Sequence, residues 1–320
     1  MKKIRIGYAL SSEEHAAADL IRNAAAAQKT GFSFAFISDH YHPWVNKQGN
    51  SPFVWSVLGG IAHSTSSLCV GTGVTCPLLR IHPAIIAQAA ATVASLMEGR
   101  FMLGLGTGEN LNEHITGEGW PPIEIRQEML VEAIEIIRLL WSGGFQSYWG
   151  EYYILDKACV YSRPKTLPPI LVAASGMGSA ALAGELADGL IATSPNKEVI
   201  NTFNETGGKQ KPKYGQITVC YAKSQSEAVK TAHQWWPNGA LVGQLGQELR
   251  IPQYFEDATA TVRPEDIASS VVCGPDPKKH IDKIKEYAAA GFDHVYIHQV
   301  GPDQAGFFKF YEKEVFPKIA

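Results

Sequence analysis

The sequence predicts an α/β fold, a (β/α)8 TIM barrel formed by one domain spanning residues 1–320, and three observations carry that prediction. Short apolar runs of strand length alternate with longer amphipathic stretches along the whole chain, and eight such runs can be traced. The 320 residues are 45% hydrophobic, enough to fill one large barrel core. No linker rich in proline, glycine or serine divides the chain, and it contains no internal repeat or low-complexity tract. A doubly wound sheet with a second domain is the rival architecture.

The first strand is read from Ile4 to Leu10, an apolar run broken once by Arg5. An alanine-rich helix from His15 to Lys29 follows, stopped at Gly31, a residue that tolerates the left-handed backbone of a helix end. Phe34 to Ile37 is the second strand and Pro52 to His63 a helix. Cys69 to Val74 is the third strand, followed by a helix over Pro83 to Met97 with proline in its first turn. Phe101 to Leu105 is the fourth strand. A long stretch separates it from the helix Ile123 to Trp141, whose Leu130, Ile134, Ile137 and Trp141 recur at helical spacing. Tyr152 to Leu155 and Cys159 to Tyr161 read as extended excursions. The remaining strands are Ile170 to Ala174, Leu190 to Thr193, Gln216 to Ala222 and His294 to His298. Helices are read at Ser179 to Leu186, Pro264 to Val271, Lys278 to Ala289 and Gln304 to Phe316. The segment of about 224–262 exceeds one helix and carries Trp235-Trp236-Pro237. It is expected to be an insertion, forming either a lid over the barrel mouth or a dimer surface.

Bulk properties exclude several classes of partner. The formal net charge is −3, so no broad basic surface for nucleic acid is expected. Five widely spaced cysteines without a Cys-x-x-Cys argue against a disulfide framework or a zinc–thiolate site and fit a reducing, cytoplasmic setting. The start, Met1 to Gly7, lacks the apolar region of a signal peptide, and no apolar run is long enough to span a membrane.

The most informative residues follow the second strand: Ser38-Asp39-His40-Tyr41-His42-Pro43-Trp44. In a β/α barrel the strand exits carry the chemistry. His40 is a candidate general base, Asp39 a candidate to orient it or hold a cofactor group, and Trp44 a candidate wall that excludes water or stacks on a flat ring. A surface loop with incidental histidines is the alternative. Glu13, beyond the first strand, is either a site carboxylate or a helix-start acid favoured by the dipole. Gly71-Thr72-Gly73-Val74 permits close approach of a ligand, or is a simple bulge. Gly104-Leu105-Gly106-Thr107-Gly108-Glu109 ends the fourth strand and reads G-x-G-x-G, only loosely a dinucleotide fingerprint. It suits a backbone lying against a flat cofactor with Glu109 reaching it, or a solvated turn. Ser175-Gly176-Met177-Gly178-Ser179 opens a helix whose N–H groups suit a phosphate. A metal reading draws on His40, His42, His294 and His298, but no His-x-x-x-His pair with an adjoining acid supports it, and no metal is expected.

Taken together these stretches resemble the luciferase-like superfamily, and within it the branch of glucose-6-phosphate dehydrogenases that use coenzyme F420, a deazaflavin. The resemblance runs through most of the chain. It is carried by Ile6-Gly7-Tyr8 with Glu13, Ser38 to Trp44, Gly71 to Pro77, Arg80 to Gln88, Gly106 to Glu113, Trp120-Pro121, Leu140 to Gly143 and Ala187-Asp188-Gly189. It implies a luciferase-like barrel that holds F420 at the strand exits, with His40 taking a hydroxyl proton and Glu109 protonating the deazaflavin ring. Glu13 and Trp44 would shape the substrate pocket. Asp39, Gly73, Val74, Thr107, Asn112, Ser175, Gly176 and Met177 would line the cofactor, and a non-proline cis peptide would fall at Gly73–Val74. A cytoplasmic homodimer is also implied. The sugar-phosphate enzymes of this branch hold their phosphate with two lysines and an arginine. Here Asp257 and Ser270 stand at two of those positions and Lys197 is shifted from the third, so glucose 6-phosphate is not the expected substrate. An alcohol, hemiacetal or uncharged carbonyl compound is. Three other readings are an FMN-dependent luciferase-like monooxygenase, a metal-dependent TIM-barrel hydrolase using His40, His42 and His298, and a non-enzymatic binding protein on the same scaffold.

Overall fold

In a computed structural model, which describes residues 4–319, parallel strands close on themselves into a barrel. The chain runs β1 (Arg5–Leu10), α1 (Ala17–Thr30), β2 (Phe34–Ile37), α2 (Val54–Ser64), β3 (Cys69–Thr72), α3 (Pro83–Leu96) and β4 (Phe101–Leu105). Next come α4 (Asn110–Glu113), α5 (Ile123–Ser142), a hairpin of β5 (Gln146–Trp149) and β6 (Ile154–Ala158), then β7 (Ile170–Ala173), α6 (Met177–Leu186), β8 (Gly189–Ala192) and α7 (Lys197–Phe203). The last third holds β9 (Lys213–Cys220), α8 (Gln225–Trp235), α9 (Leu245–Glu248), α10 (Pro252–Thr259), α11 (Pro264–Ser270), β10 (Val272–Cys273), α12 (Pro277–Ala290), β11 (His294–Gln299), α13 (Gln304–Phe310) and α14 (Phe316–Ile319).

Eight of these strands form the ring, in the order β1, β2, β3, β4, β7, β8, β9, β11, and β11 returns to β1 with Arg5 opposite His294 and Tyr8 opposite Ile297. β10 extends the sheet beside the far end of β9. Because the strands are parallel and covered by helices, they are buried on both faces, which is why they read as continuous apolar runs. One core fills the barrel interior, where Phe36 packs edge-on against Tyr214 and Tyr296 with ring centroids 5.2 and 5.0 Å away. The larger core lies between strands and helices. Gly71 is required here: a Cβ would stand 2.6 Å from the Phe36 ring. Helix limits follow their capping residues. Gly31 and Gly291, at φ 105° and 108°, end α1 and α12, and the Asp276 carboxylate accepts the Lys278 N–H at the start of α12.

Three local expectations are corrected. A helix follows the fourth-strand glycines at once, because Asn110 to Glu113 forms α4. Cys159 to Tyr161 is not a strand; the hairpin pairs Gln146 with Ala158 and Trp149 with Ile154. The seventh barrel strand begins at Lys213, a buried lysine whose ammonium donates to the Gly208, Lys209 and Lys211 carbonyls. α7 is a short helix capped by the Asn196 side chain, with no periodic signal of its own in the sequence. The 224–262 stretch holds α8, α9 and α10, and its Leu241, Leu249 and Phe255 pack with Trp44, Val45 and Leu111 over the strand exits. Among the described residues no helix is long and apolar enough to cross a membrane.

Candidate active site

A cavity of 660 Å³ opens at the exit end of the barrel strands, within the range of ligand sites. Of the residues singled out from sequence, Glu13, His40, Trp44, Gly73, Val74, Thr107, Glu109, Ser175 and Gly176 line it. The imidazole from the second β/α unit and the carboxylate from the fourth therefore share one cavity. The Gly73–Val74 peptide bond is cis. Asp39, Asn112 and Met177 lie off the wall, and Met177 is exposed at the start of α6.

His40 is held from two sides. Its Nδ1 donates to the His42 carbonyl at 3.2 Å, and its Nε2 stands 3.3 Å from Glu13 Oε1. The Nδ1 proton is thus committed to the backbone, and Nε2 is the nitrogen free to exchange one. Glu13 lies ahead of α1, so it is not a helix-start acid. Its other oxygen accepts from the Ser38 and Ser11 hydroxyls at 2.6 and 3.0 Å. Burial acts to raise the Glu13 carboxyl, but the His40 imidazole and the Ser38 hydroxyl outweigh it and hold the group below its ordinary value. Trp44 tilts against the His40 ring at 4.9 Å and meets Phe255 of α10 edge-on at 5.3 Å.

Asp39 and Asn112 instead brace the loops. Both bonds to the Asp39 carboxylate come from protein: Thr75 Oγ1 at 2.8 Å and the Arg80 guanidinium at 2.9 Å. Arg80 also faces Glu113 at 3.5 Å, and Glu113 accepts the Leu79 and Arg80 N–H groups. Burial acts to lower the Arg80 value, and Asp39 and Glu113 more than reverse this; burial raises Glu113. Asn112 bridges the loop of His40 and the Glu109 carboxylate. Its carbonyl oxygen accepts from the Tyr41 and His42 N–H groups, in the loop that carries His40, while its amide donates to Glu109 Oε2 at 3.3 Å.

The sequence singles out His298 only as a metal ligand, and Gln216 and Thr218 not as site residues at all. His298, at the exit of β11, donates from Nε2 to Glu14 Oε2 at 2.7 Å, and Glu14 Oε1 accepts the Gly301 N–H at 2.8 Å. Gln216 and Thr218 of β9 line the same wall. From the 224–262 stretch come Trp236, Asn238, Leu241, Gln244 and Phe255, so this stretch covers the mouth. Only Trp235-Trp236-Pro237 signalled it. The metal reading fails on geometry: His42 turns to the Leu111 carbonyl and stacks on His114, and His294 sits at the opposite end of β11 from His298. Among the described residues no three potential ligands gather.

The model of the luciferase-like monooxygenase family matches residues 2–294. An F420-dependent glucose-6-phosphate dehydrogenase of Nakamurella multipartita is 34% identical, over 99% of this chain and 96% of the relative. An F420-dependent hydroxymycolic acid dehydrogenase of Mycobacterium tuberculosis is 35% identical, over 98% and 88%. In structure, the fold matches an F420-dependent secondary alcohol dehydrogenase in complex with an F420–acetone adduct at a TM-score of 0.91, with 28% identity and 99% of each chain covered. With a family match over most of its length and relatives of this identity over nearly all of it, the chain belongs to the luciferase-like monooxygenase family.

Proposed function

We propose that this protein is a coenzyme F420-dependent oxidoreductase that moves a hydride between an uncharged alcohol, hemiacetal or carbonyl compound and the deazaflavin, and that glucose 6-phosphate is not its substrate. One observation carries the reading: the cavity joins the His40–Glu13 pair to the Glu109 carboxylate, while its described lining holds no lysine or arginine. A phosphate dianion would meet carboxylates there with no cation to hold it. Lys197, Asp257 and Ser270 are all exposed and outside the wall.

The chain fits the cofactor. Gly73, Val74, Gly106 and Thr107 offer a backbone-rich floor to a flat ring, and a Cβ at Gly176 would project into open space rather than into protein. The first-turn N–H groups of α6 have no intrahelical partner and suit the anionic tail. When bound, the deazaflavin supplies the two-electron acceptor for the substrate C–H. His40 Nε2 takes the hydroxyl proton, Glu13 stabilises the resulting imidazolium, and Trp44 excludes water beside them. The carboxyl of Glu109 holds the proton that balances charge on the ring, kept in place by Asn112. Asp39 and Asn112 serve as positioning residues in this scheme.

The test is a fluorescence titration with F420, followed by turnover of simple secondary alcohols against glucose 6-phosphate. Micromolar F420 binding, turnover of the uncharged alcohols and a loss of about 10²-fold or more in kcat for His40→Ala are expected. Binding of FMN in place of F420, or preference for the sugar phosphate, would overturn the proposal. A second copy of this chain is the proposed partner. The β5–β6 hairpin exposes Trp149 and Ile154, and light scattering should return a homodimer.

A further inference from the structure

We infer that His298 is a substrate-binding residue whose Nδ1 accepts a hydrogen bond from a second hydroxyl, so that the substrate is a polyol or hydroxy-carbonyl compound rather than a monohydric alcohol. The inference deepens the oxidoreductase reading and rests on it for the identity of the reacting carbon.

Glu14 fixes the tautomer of His298. The Glu14 side chain is fully buried, and both oxygens are engaged, one by the Gly301 N–H and the other by His298 Nε2. An ionised carboxylate only accepts, so the proton on His298 is fixed at Nε2. Nδ1 then carries a lone pair and can only accept. Among the described residues it has no hydrogen-bond partner, although His298 is 2% exposed and lines the cavity. A buried acceptor left without a donor is unfavourable, and native structures keep such groups for a reason.

The surroundings give that reason a chemical form. His298 is registered opposite Thr218 on β9, and Thr218 and Gln216 line the same wall with side chains that make no hydrogen bond of their own. Trp236 packs edge-on against the His298 ring at 4.5 Å, closing this corner with an aromatic wall. Glu14, which holds His298, adjoins Glu13, the partner of His40. The corner therefore lies beside the proton-transfer pair and presents three polar side chains ready for a hydroxylated ligand. An acceptor-only nitrogen selects a donor; it rejects an ether oxygen, a carbonyl oxygen or a phosphate at that position.

Glu14 acts as a positioning residue, and its replacement gives a sharp test. In Glu14→Gln the amide oxygen can still accept the Gly301 N–H, while its NH₂ faces His298 Nε2. The imidazole must then place its proton on Nδ1, which turns an acceptor into a donor without emptying the site. The probes are propane-1,2-diol and 1-methoxypropan-2-ol, alike except that the second lacks the donor. For the F420-loaded wild type, kcat/KM is expected to favour the diol by about tenfold or more. In Glu14→Gln that ratio should fall to near one. A ratio near one in the wild type, or an unchanged ratio in the variant, overturns the inference.

An arm free of turnover keeps the two readings apart. In cofactor-free protein with ¹⁵N-labelled histidine, His298 Nδ1 should resonate as an unprotonated nitrogen, shift when the diol is added, and be protonated in Glu14→Gln. A protonated Nδ1 in the wild type, or no response to the diol, sinks the assignment whatever the cofactor result. Failure to bind F420 with a diol response intact would sink the oxidoreductase reading and leave this site standing. The cofactor's side chain is the rival source of the hydroxyl; a loss of F420 affinity of about tenfold or more in Glu14→Gln with no change in substrate ratio would assign it there and refute the proposal.

Discussion

Asn112 ties Glu109 to the loop of His40 through a single amide, with the carbonyl end on two backbone N–H groups and the amino end on the carboxylate. Asn112→Ala is therefore expected to lower kcat about 10- to 100-fold, by releasing both reacting groups, while the F420 dissociation constant moves little. Stopped-flow reduction and fluorescence titration on the same protein check the two halves. A large rise in that dissociation constant with kcat intact would return Asn112 to the cofactor. The sequence made His40, Glu109 and Trp44 legible as cavity-wall residues because residue type and strand-exit position sufficed. It could not reveal that Asp39 and Asn112 face inward to protein, since that depends on Arg80, Thr75 and the Tyr41–His42 backbone, which only the folded loops bring close. Nor could it pair Glu14 with His298, 284 positions apart.

The segment over the mouth is fastened by polar contacts that can be cut singly. Glu256 on α10 accepts from the Asn46 backbone N–H and its amide at 2.9 and 3.1 Å, and Gln48 donates to the Trp235 carbonyl at 2.9 Å. Next to Glu256, Phe255 meets Trp44. Glu256→Ala should loosen α10 and raise KM several-fold with a smaller change in kcat, because the exposed bonds position the wall and do not touch the reacting atoms. Steady-state kinetics reads this split, and a fall in kcat at constant KM would contradict it. Phe255→Ala should cost more, since a fully buried ring is lost as well, about 3 kcal/mol of stability by denaturant unfolding. Strand periodicity and signals such as Gly31 and Pro83 made most elements readable. α4, α7 and α9 were not, for each is a turn or two of polar and apolar residues whose helicity is imposed by what it packs on.

Stability across the barrel depends on charges that the apolar pattern hides. Arg80 holds Asp39 and Glu113 in an interior where all three side chains are nearly inaccessible. Arg80→Met would strand two carboxylates and is expected to destabilise the protein by about 3–5 kcal/mol, seen as a lower urea midpoint. His280 sets part of the acid limit. Buried between the Tyr311 hydroxyl and the Gly274 carbonyl, it is lowered by burial to about 4 from an ordinary 6.5. Its folded value lies below its unfolded one. As the pH falls from 6.5 the unfolded chain gains a proton that the folded chain refuses until about 4, and stability drops through that window. In His280→Gln the slope of unfolding free energy against pH should flatten there by about one proton, measured by denaturant melts at several pH values.

The bond from Glu14 to Gly301, and the pairing of Glu14 with His298, stitch the opening strand to the closing one. Those same carboxylates, Glu13 and Glu14, complete the two imidazole pairs. Glu14 and its partners His298 and Gly301 lie 284 and 287 positions apart, so a polypeptide cut before β11 has the Glu13–His40 pair in hand but no finished pocket around it. Competence for chemistry arrives with the final strand, and a truncated product would be inert rather than a weakened enzyme.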